Sequence, residues 1–110
     1  MIAYEDFEKI DIRVGTVISA ETFSEARKPS YKLKIDFGKE IGTKTSSAQI
    51  TALYKKEELI GRQVLGVVNF PPKLIAGFKS EVLTLGVEDE KERVILIMPE
   101  REAKIGGRMY

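Results

Sequence analysis

Histidine, cysteine and tryptophan are all absent from this chain. Without cysteine there can be no disulfide, no thiol nucleophile and no thiolate metal site. Without histidine the commonest general base and the commonest metal ligand are missing as well. Long apolar runs are also lacking. The longest, Val94 to Met98, is five residues, where a membrane span needs about 20. The opening residues Met1-Ile2-Ala3-Tyr4-Glu5 have neither a basic start nor an apolar stretch, so no secretory signal is read and a cytoplasmic protein is expected. Any catalysis would fall to carboxylates, lysine, serine or tyrosine. The expectation is a binding module, not an enzyme, with no metal and no cofactor.

What is present suits a single small domain of 110 residues. A chain of this size buries roughly 65% of its extended surface, enough for one modest core. Apolar residues make up 43%, which favours folding over disorder. The net charge of +1 hides segregation. Residues 1–12 carry Glu5, Asp6, Glu8 and Asp11 against Lys9, and residues 88–102 carry six acids against three bases. Between them, residues 13–35 carry Arg13, Arg27, Lys28, Lys32 and Lys34 against only Glu21 and Glu25. A mildly basic middle lies between acidic stretches.

The dominant period is two. Ile12, Val14, Thr16, Ile18 and Ala20 alternate with Arg13, Gly15, Val17 and Ser19, which predicts a first strand with the former set inward. Gly15 suggests a bulge or tight bend there. A second strand sets Leu33, Ile35 and Phe37 against Lys32, Lys34 and Asp36, and a hairpin through Lys39 to Gly42 leads to a third near Thr43 to Ala48. The period then changes. Ile50, Leu53 and Tyr54 share a helical face, so a helix is expected from about Gln49, capped by nearby Ser and Thr residues. A further short turn at Lys56 to Gly61 follows. Strands are expected at Gln63 to Asn69, Glu81 to Val87 and Val94 to Met98, with Pro71-Pro72 forcing an extended loop. Period-two patterning allows a sandwich or an SH3-like barrel. A helix between the third and fourth strands favours a five-stranded, all-β OB-fold barrel.

Two constellations could bind a ligand. Lys28, Lys32 and Lys34, with Tyr31 beside them, offer phosphate-neutralising charge and a ring for a base to stack on. The segment Asn69 to Glu81 holds Phe70, Pro71, Pro72, Leu74 and Phe78, rimmed by Lys73 and Lys79, a composition suited to an apolar peptide groove. A solvated strand face and a barrel cap are the respective plain alternatives. Ser47 lacks a base, and Glu88-Asp89-Glu90 lacks the spacing of a calcium loop and reads as a hairpin tip.

Longer motifs carry a resemblance. Ile12-Arg13-Val14-Gly15, the Tyr54, Glu58-Leu59, Gly61-Arg62 and Val64 pattern, and Asn69 with Pro72-Lys73 resemble the tRNA-binding domain family. Lys28-Pro29-Ser30-Tyr31-Lys32-Leu33, Ser46-Ser47-Ala48-Gln49-Ile50-Thr51, Asn69-Phe70-Pro71-Pro72 and Ala76-Gly77-Phe78-Lys79-Ser80-Glu81-Val82-Leu83 are similar to its branch of export-related chaperones, CsaA. The resemblance implies an OB-fold over residues 12–98, with residues 1–11 and 99–110 building a homodimer. It implies a cytoplasmic, ATP-independent chaperone for unfolded or pre-secretory polypeptides, held by Phe70, Pro71, Pro72, Leu74 and Phe78. The alternative it implies is structure-specific tRNA binding by Arg13, Lys28, Lys32, Lys34, Lys73, Lys79 and Ser80. Of these, Arg13, Lys32, Lys73 and Ser80 match the family's own pattern.

Overall fold

A computed structural model describes all residues from 1 to 110. In chain order the elements are helix α1 (Tyr4–Glu8), strands β1 (Ile12–Thr22), β2 (Tyr31–Asp36) and β3 (Thr43–Ala48), helix α2 (Lys56–Leu59), and strands β4 (Gln63–Val67), β5 (Lys73–Ile75), β6 (Phe78–Ser80), β7 (Leu83–Thr84), β8 (Gly86–Glu88) and β9 (Val94–Leu96). Five strands form one antiparallel sheet in the order β3-β2-β1-β4-β7, while β5 with β6 and β8 with β9 are separate hairpins. The outer edges of the sheet meet. The backbone N–H groups of Glu81 and Val82 both donate to the Thr45 carbonyl, at 2.8 and 3.2 Å, and the Ser46 and Thr84 hydroxyls lie 2.8 Å apart. The result is a nearly closed five-stranded barrel with a short helix before its fourth strand, the OB-fold expected from the sequence.

The alternation of β2 is realised as expected. Leu33, Ile35 and Phe37 are buried in the barrel while Lys32, Lys34 and Asp36 point outward. Each such buried side chain contributes about 1.5–3 kcal/mol of apolar transfer. The first strand differs from expectation. Its register shifts between Val17 and Ser19, and this bulge changes which residues face in. Val17 is fully buried in the barrel and Ile18 is half exposed. Ile12 and Val14 are buried, but on the outer face, with Leu65 and Val67 as neighbours in a cluster separate from the main core. Leu85, Ile97, Ala103 and Met109 cover that cluster. Gly15 is not the bulge. It faces the barrel interior, where a Cβ would lie 2.5 Å from Ile35 Cγ2 and 2.8 Å from Phe37.

The expected helix at Gln49 is also corrected. Residues 49–55 form a turn, and the only helix in this connection is α2. Ile50 is buried and Tyr54 packs on the core, while Leu53, expected beside them, joins neither cluster, so the spacing identified two of its three contacts in the wrong backbone. The nearby hydroxyls do not cap a helix: Thr45 and Ser46 serve the barrel seam. The expected strand from Glu81 to Val87 is broken into β7 and β8, and the proline loop contains the unforeseen β5–β6 hairpin. The acidic tip at Glu88 to Lys91 does join a hairpin, and there Asp89 Oδ1 accepts from the N–H groups of Lys91 and Arg93. Before the barrel, α1 is tied down by Asn69, whose side chain accepts from Asp11 N–H at 2.9 Å and donates to the Lys9 carbonyl at 2.8 Å. No helix is long and apolar enough to cross a membrane.

The contact at Gly15 sets a test. Gly15→Ala forces Ile35 and Phe37 aside in a filled core, so it should cost about 1–3 kcal/mol. Urea unfolding should show a lower midpoint at unchanged slope.

Candidate functional site

Strand pairing arranges the outer barrel face in rows. Lys32 stands between Glu21 on β1 and Ser47 on β3, and Lys34 stands between Ser19 and Thr45. The β5–β6 hairpin leans on the same side. Ser47 N–H donates to Ser80 Oγ at 3.0 Å, and the Thr45 hydroxyl lies 2.6 Å from the Lys79 carbonyl and 3.0 Å from Glu81 Oε1. These bonds bring Phe78 over the end of β1. Its ring meets Phe23 edge-on at 5.4 Å between centroids, and Lys32 Nζ sits 4.9 Å from the Phe23 ring and 5.5 Å from the Phe78 ring. An ammonium held against two ring faces is stabilised by their quadrupoles, more so as it is partly desolvated.

Several predicted residues therefore converge: Lys32, Lys34, Phe78 and Ser80, while Lys79 joins through its carbonyl and, as the cross-strand partner of Leu74, turns its side chain to the other face of the hairpin. Lys28 lies exposed in the loop that leads into β2, and Lys73 is the cross-strand partner of Ser80. Arg13 is elsewhere. It lies eight residues back along β1 from Glu21, about 25 Å away at strand rise. There its guanidinium is bound to Asp11 at 2.6 Å and donates to the Gly106 carbonyl at 3.0 Å. The hydrogen bond that Arg13 donates to Asp11 raises the Arg13 pKa above its ordinary value, against a smaller opposing effect of burial. Tyr31, expected beside the lysines as a stacking ring, is buried with its hydroxyl donating to the Tyr54 carbonyl.

The apolar set is divided. Hairpin register pairs Leu74 with Lys79 and Ile75 with Phe78, so Leu74 and Phe78 lie on opposite faces of β5–β6. Leu74 is 72% exposed and Phe70 48%, and Pro71 and Pro72 are exposed between them. Phe78 is half buried against Phe23. One groove lined by all of them is not what the backbone builds. It leaves Phe70 and Leu74 exposed and packs Phe78 into an aromatic–lysine cluster.

Sequence reasoning missed Phe23 and Glu81. Phe23 follows the end of β1, and only closure of the 23–30 loop, with Phe23 N–H donating to the Ser30 carbonyl, carries it to Phe78. Glu81 is the anchor of the hairpin. Burial alone would raise its pKa, but hydrogen bonds from Thr45 and the charges of Lys44 and Lys79 outweigh it and hold the carboxyl below its usual range. Glu25 is lowered too, mainly by hydrogen bonds from its own backbone and Ser24, with a contribution from Lys32. The lysine face thus carries compensating carboxylates at Glu21, Glu25 and Glu81. A cleft of about 530 Å³ lies between Arg62, Gln63, Met98 and Arg101, where Glu100 pairs with Arg101 at 2.7 Å and Arg62 donates to the Glu58 carbonyl.

The model of a family described as a putative tRNA binding domain matches residues 12–108. The crystal structure of chaperone CsaA from Bacillus anthracis str. Ames is 54% identical, with 100% of this chain and 99% of that one covered at a TM-score of 0.94. The CsaA chaperone protein from Picrophilus torridus is likewise 54% identical over 100% of both chains, at a TM-score of 0.94. A methionine–tRNA ligase of Pyrococcus horikoshii is 38% identical over 108 residues, 98% of this chain and 14% of the ligase. The chain spans about one seventh of the length of that curated relative.

The folded pKa of Glu81 is depressed, so its contribution to stability is complete above the unfolded carboxylate pKa and is lost as pH falls through the lower folded value. Glu81→Gln should therefore flatten the acid limb of stability below about pH 4.5. At neutral pH it should cost about 1–2 kcal/mol for the weakened bonds to Thr45. Urea titrations at neutral pH and near pH 3 check both effects. A loss equal at the two pH values would remove the charged anchor from the account.

Proposed function

The chain belongs to the tRNA-binding domain family, and from that premise we propose that it is a chaperone that holds unfolded or precursor polypeptides in the cytoplasm as a homodimer. The observation that carries this reading is the β5–β6 hairpin. Two prolines and the Thr45–Glu81 anchor fix it in place, yet it presents Leu74 to solvent on one face and Phe78, beside Lys32, on the other, with exposed Phe70 just before it in the chain. Exposed apolar side chains on a rigid support are what an unfolded chain can use. The similarity of the whole chain to two structures named as CsaA chaperones supports the reading. The sequence carries no glycine-rich phosphate cradle, so binding and release are proposed to be passive and independent of ATP.

The compensating carboxylates favour a polypeptide over RNA on this face. Glu21 is the cross-strand partner of Lys32, Glu25 lies within the field of Lys32, and Glu81 within that of Lys44 and Lys79. A phosphate backbone meets less net charge there than the lysines suggest. The family itself supports tRNA as the second reading, with Lys28, Lys32, Lys34, Lys73 and Lys79 as phosphate contacts and Ser80 beside them. Homologous segments within methionine–tRNA ligases point the same way. Neither reading assigns catalysis to this chain.

Suppression of the aggregation of a denatured client separates the readings. Leu74→Ser, at an exposed position, and Phe78→Ala should each raise the concentration needed for half-suppression several-fold. Parental activity in both variants would defeat the polypeptide reading. For tRNA, log affinity should fall by roughly 0.7–0.9 per log salt for each phosphate contacted. A slope near zero removes that ligand. Sedimentation should give about twice the 12.4 kDa chain mass if the pairing is correct.

A further inference from the structure

We propose that Lys32, Ser47 and Ser80 form a seat for one carboxylate, and that the polypeptide this chain holds is bound there through an acidic side chain flanked by apolar ones. The inference rests on the polypeptide-binding reading and names the chemistry of its client. Strand alternation sets the geometry. Leu33 and Ser46 point into the barrel, so their neighbours Lys32 and Ser47 point out, side by side as cross-strand partners. On the hairpin, Phe78 and Ser80 are two positions apart and share one face, while Lys79 and its partner Leu74 take the other. The bond from Ser47 N–H to Ser80 Oγ, at 3.0 Å, turns the first of these faces toward β2 and β3.

Three donors on these faces find no acceptor in the chain. Lys32 is half-buried with its ammonium against the rings of Phe23 and Phe78, and none of the chain's ion pairs includes it, although Glu21 is its cross-strand partner. Ser80 Oγ accepts from Ser47 N–H, which leaves its own proton to donate, and the Ser47 hydroxyl makes no hydrogen bond. A carboxylate offers two oxygens and about four lone-pair sites, enough for all three donors. Its bonds to an ammonium are charge-assisted, and the rings exclude water from one side. Phe23 is buried and Phe78 half-buried, so an apolar side chain beside the carboxylate can pack on what remains of the Phe78 ring. The charge of the face favours one carboxylate over a phosphate backbone. Lys32, Lys34 and Lys73, the partner of Ser80, meet Glu21, Glu25 and Glu81, three charges of each sign. A polyanion gains nothing from such a face as a whole, whereas one carboxylate gains the local bonds.

Two full-length variants test the seat. Lys32→Met keeps an unbranched apolar stem against the two rings and removes the charge. Ser47→Ala removes a hydroxyl that bonds nothing else in the chain. The probes are two short fluorescent peptides that differ only at a central residue between leucines, aspartate in one and asparagine in the other. The parent chain should bind the aspartate peptide roughly fivefold more tightly, because hydrogen bonds to a charged acceptor are about twice as strong as those to a neutral one. Lys32→Met should abolish that preference and Ser47→Ala should reduce it. A parent chain that binds both peptides alike overturns the proposal, and so does a preference that survives in Lys32→Met. If Lys32→Met does not fold, an unchanged preference in Ser47→Ala overturns it instead. If Lys32→Met weakens tRNA binding and leaves the peptide preference intact, the seat takes phosphate and the proposal fails. Client aggregation keeps this inference apart from the reading it rests on. Equal binding of both peptides by a chain that still suppresses aggregation, and loses that activity in Leu74→Ser or Phe78→Ala, removes the carboxylate seat only. Binding of neither peptide, with aggregation unaltered in those two variants, removes the polypeptide reading and the seat with it.

Discussion

Thr45 meets the stretch from Lys79 to Val82 through its carbonyl, its N–H and its hydroxyl, and these bonds close the barrel. Without them β3 would be a free edge and the main core would be open along one side. The same bonds fix the hairpin that carries Leu74, Phe78 and Lys79. Closure of the core and placement of the candidate site are thus one event. Glu81 makes that event depend on charge, because its carboxylate is held ionised by the donors of Thr45 and by two lysines.

The two outer faces of the barrel are finished differently. Around β2 and β3 the face is polar and its lysines are offset by Glu21, Glu25 and Glu81. Around β1 and β4 the face is apolar and is covered by the segment from 97 to 109. This second face gives the small barrel a second cluster to bury, which matters in a chain whose single core is modest. It also explains why Arg13 stands apart from the other basic residues. Its partners are Asp11 and the carbonyl of Gly106, so it ties the covering segment to the start of β1.

Much of the barrel was legible as alternation. β2 alternates without interruption, and its buried and exposed residues follow the pattern one by one. β1 was legible as a strand but not in its faces, since a bulge after Val17 reverses the phase, and nothing in Ile18 or Ser19 announces it. The turn at 49–55 imitates a helix because Ile50 and Tyr54 must both reach the core from one side of a short connection. The hairpin at 73–80 was hidden by its brevity: strands of three residues are too short to establish a period. In the candidate site the lysines could be found because they occupy the outward positions of β2. Phe23 could not, because its partner Phe78 is 55 residues away.

The sequence by itself determined the class of molecule: an all-β chain with a change of period before its fourth strand, and without the side chains most catalysis and metal binding require. Those conclusions depend on composition and on neighbours within a few positions, which a linear pattern records. Only the tertiary structure decided which groups act together. It divided Leu74 from Phe78 by hairpin register, placed Lys32 against two rings, took Arg13 out of the basic patch and laid residues 106–109 on the edge of β1. Each of these is set by pairing between segments tens of residues apart. A single slip of register exchanges every face, so no local pattern could have fixed them.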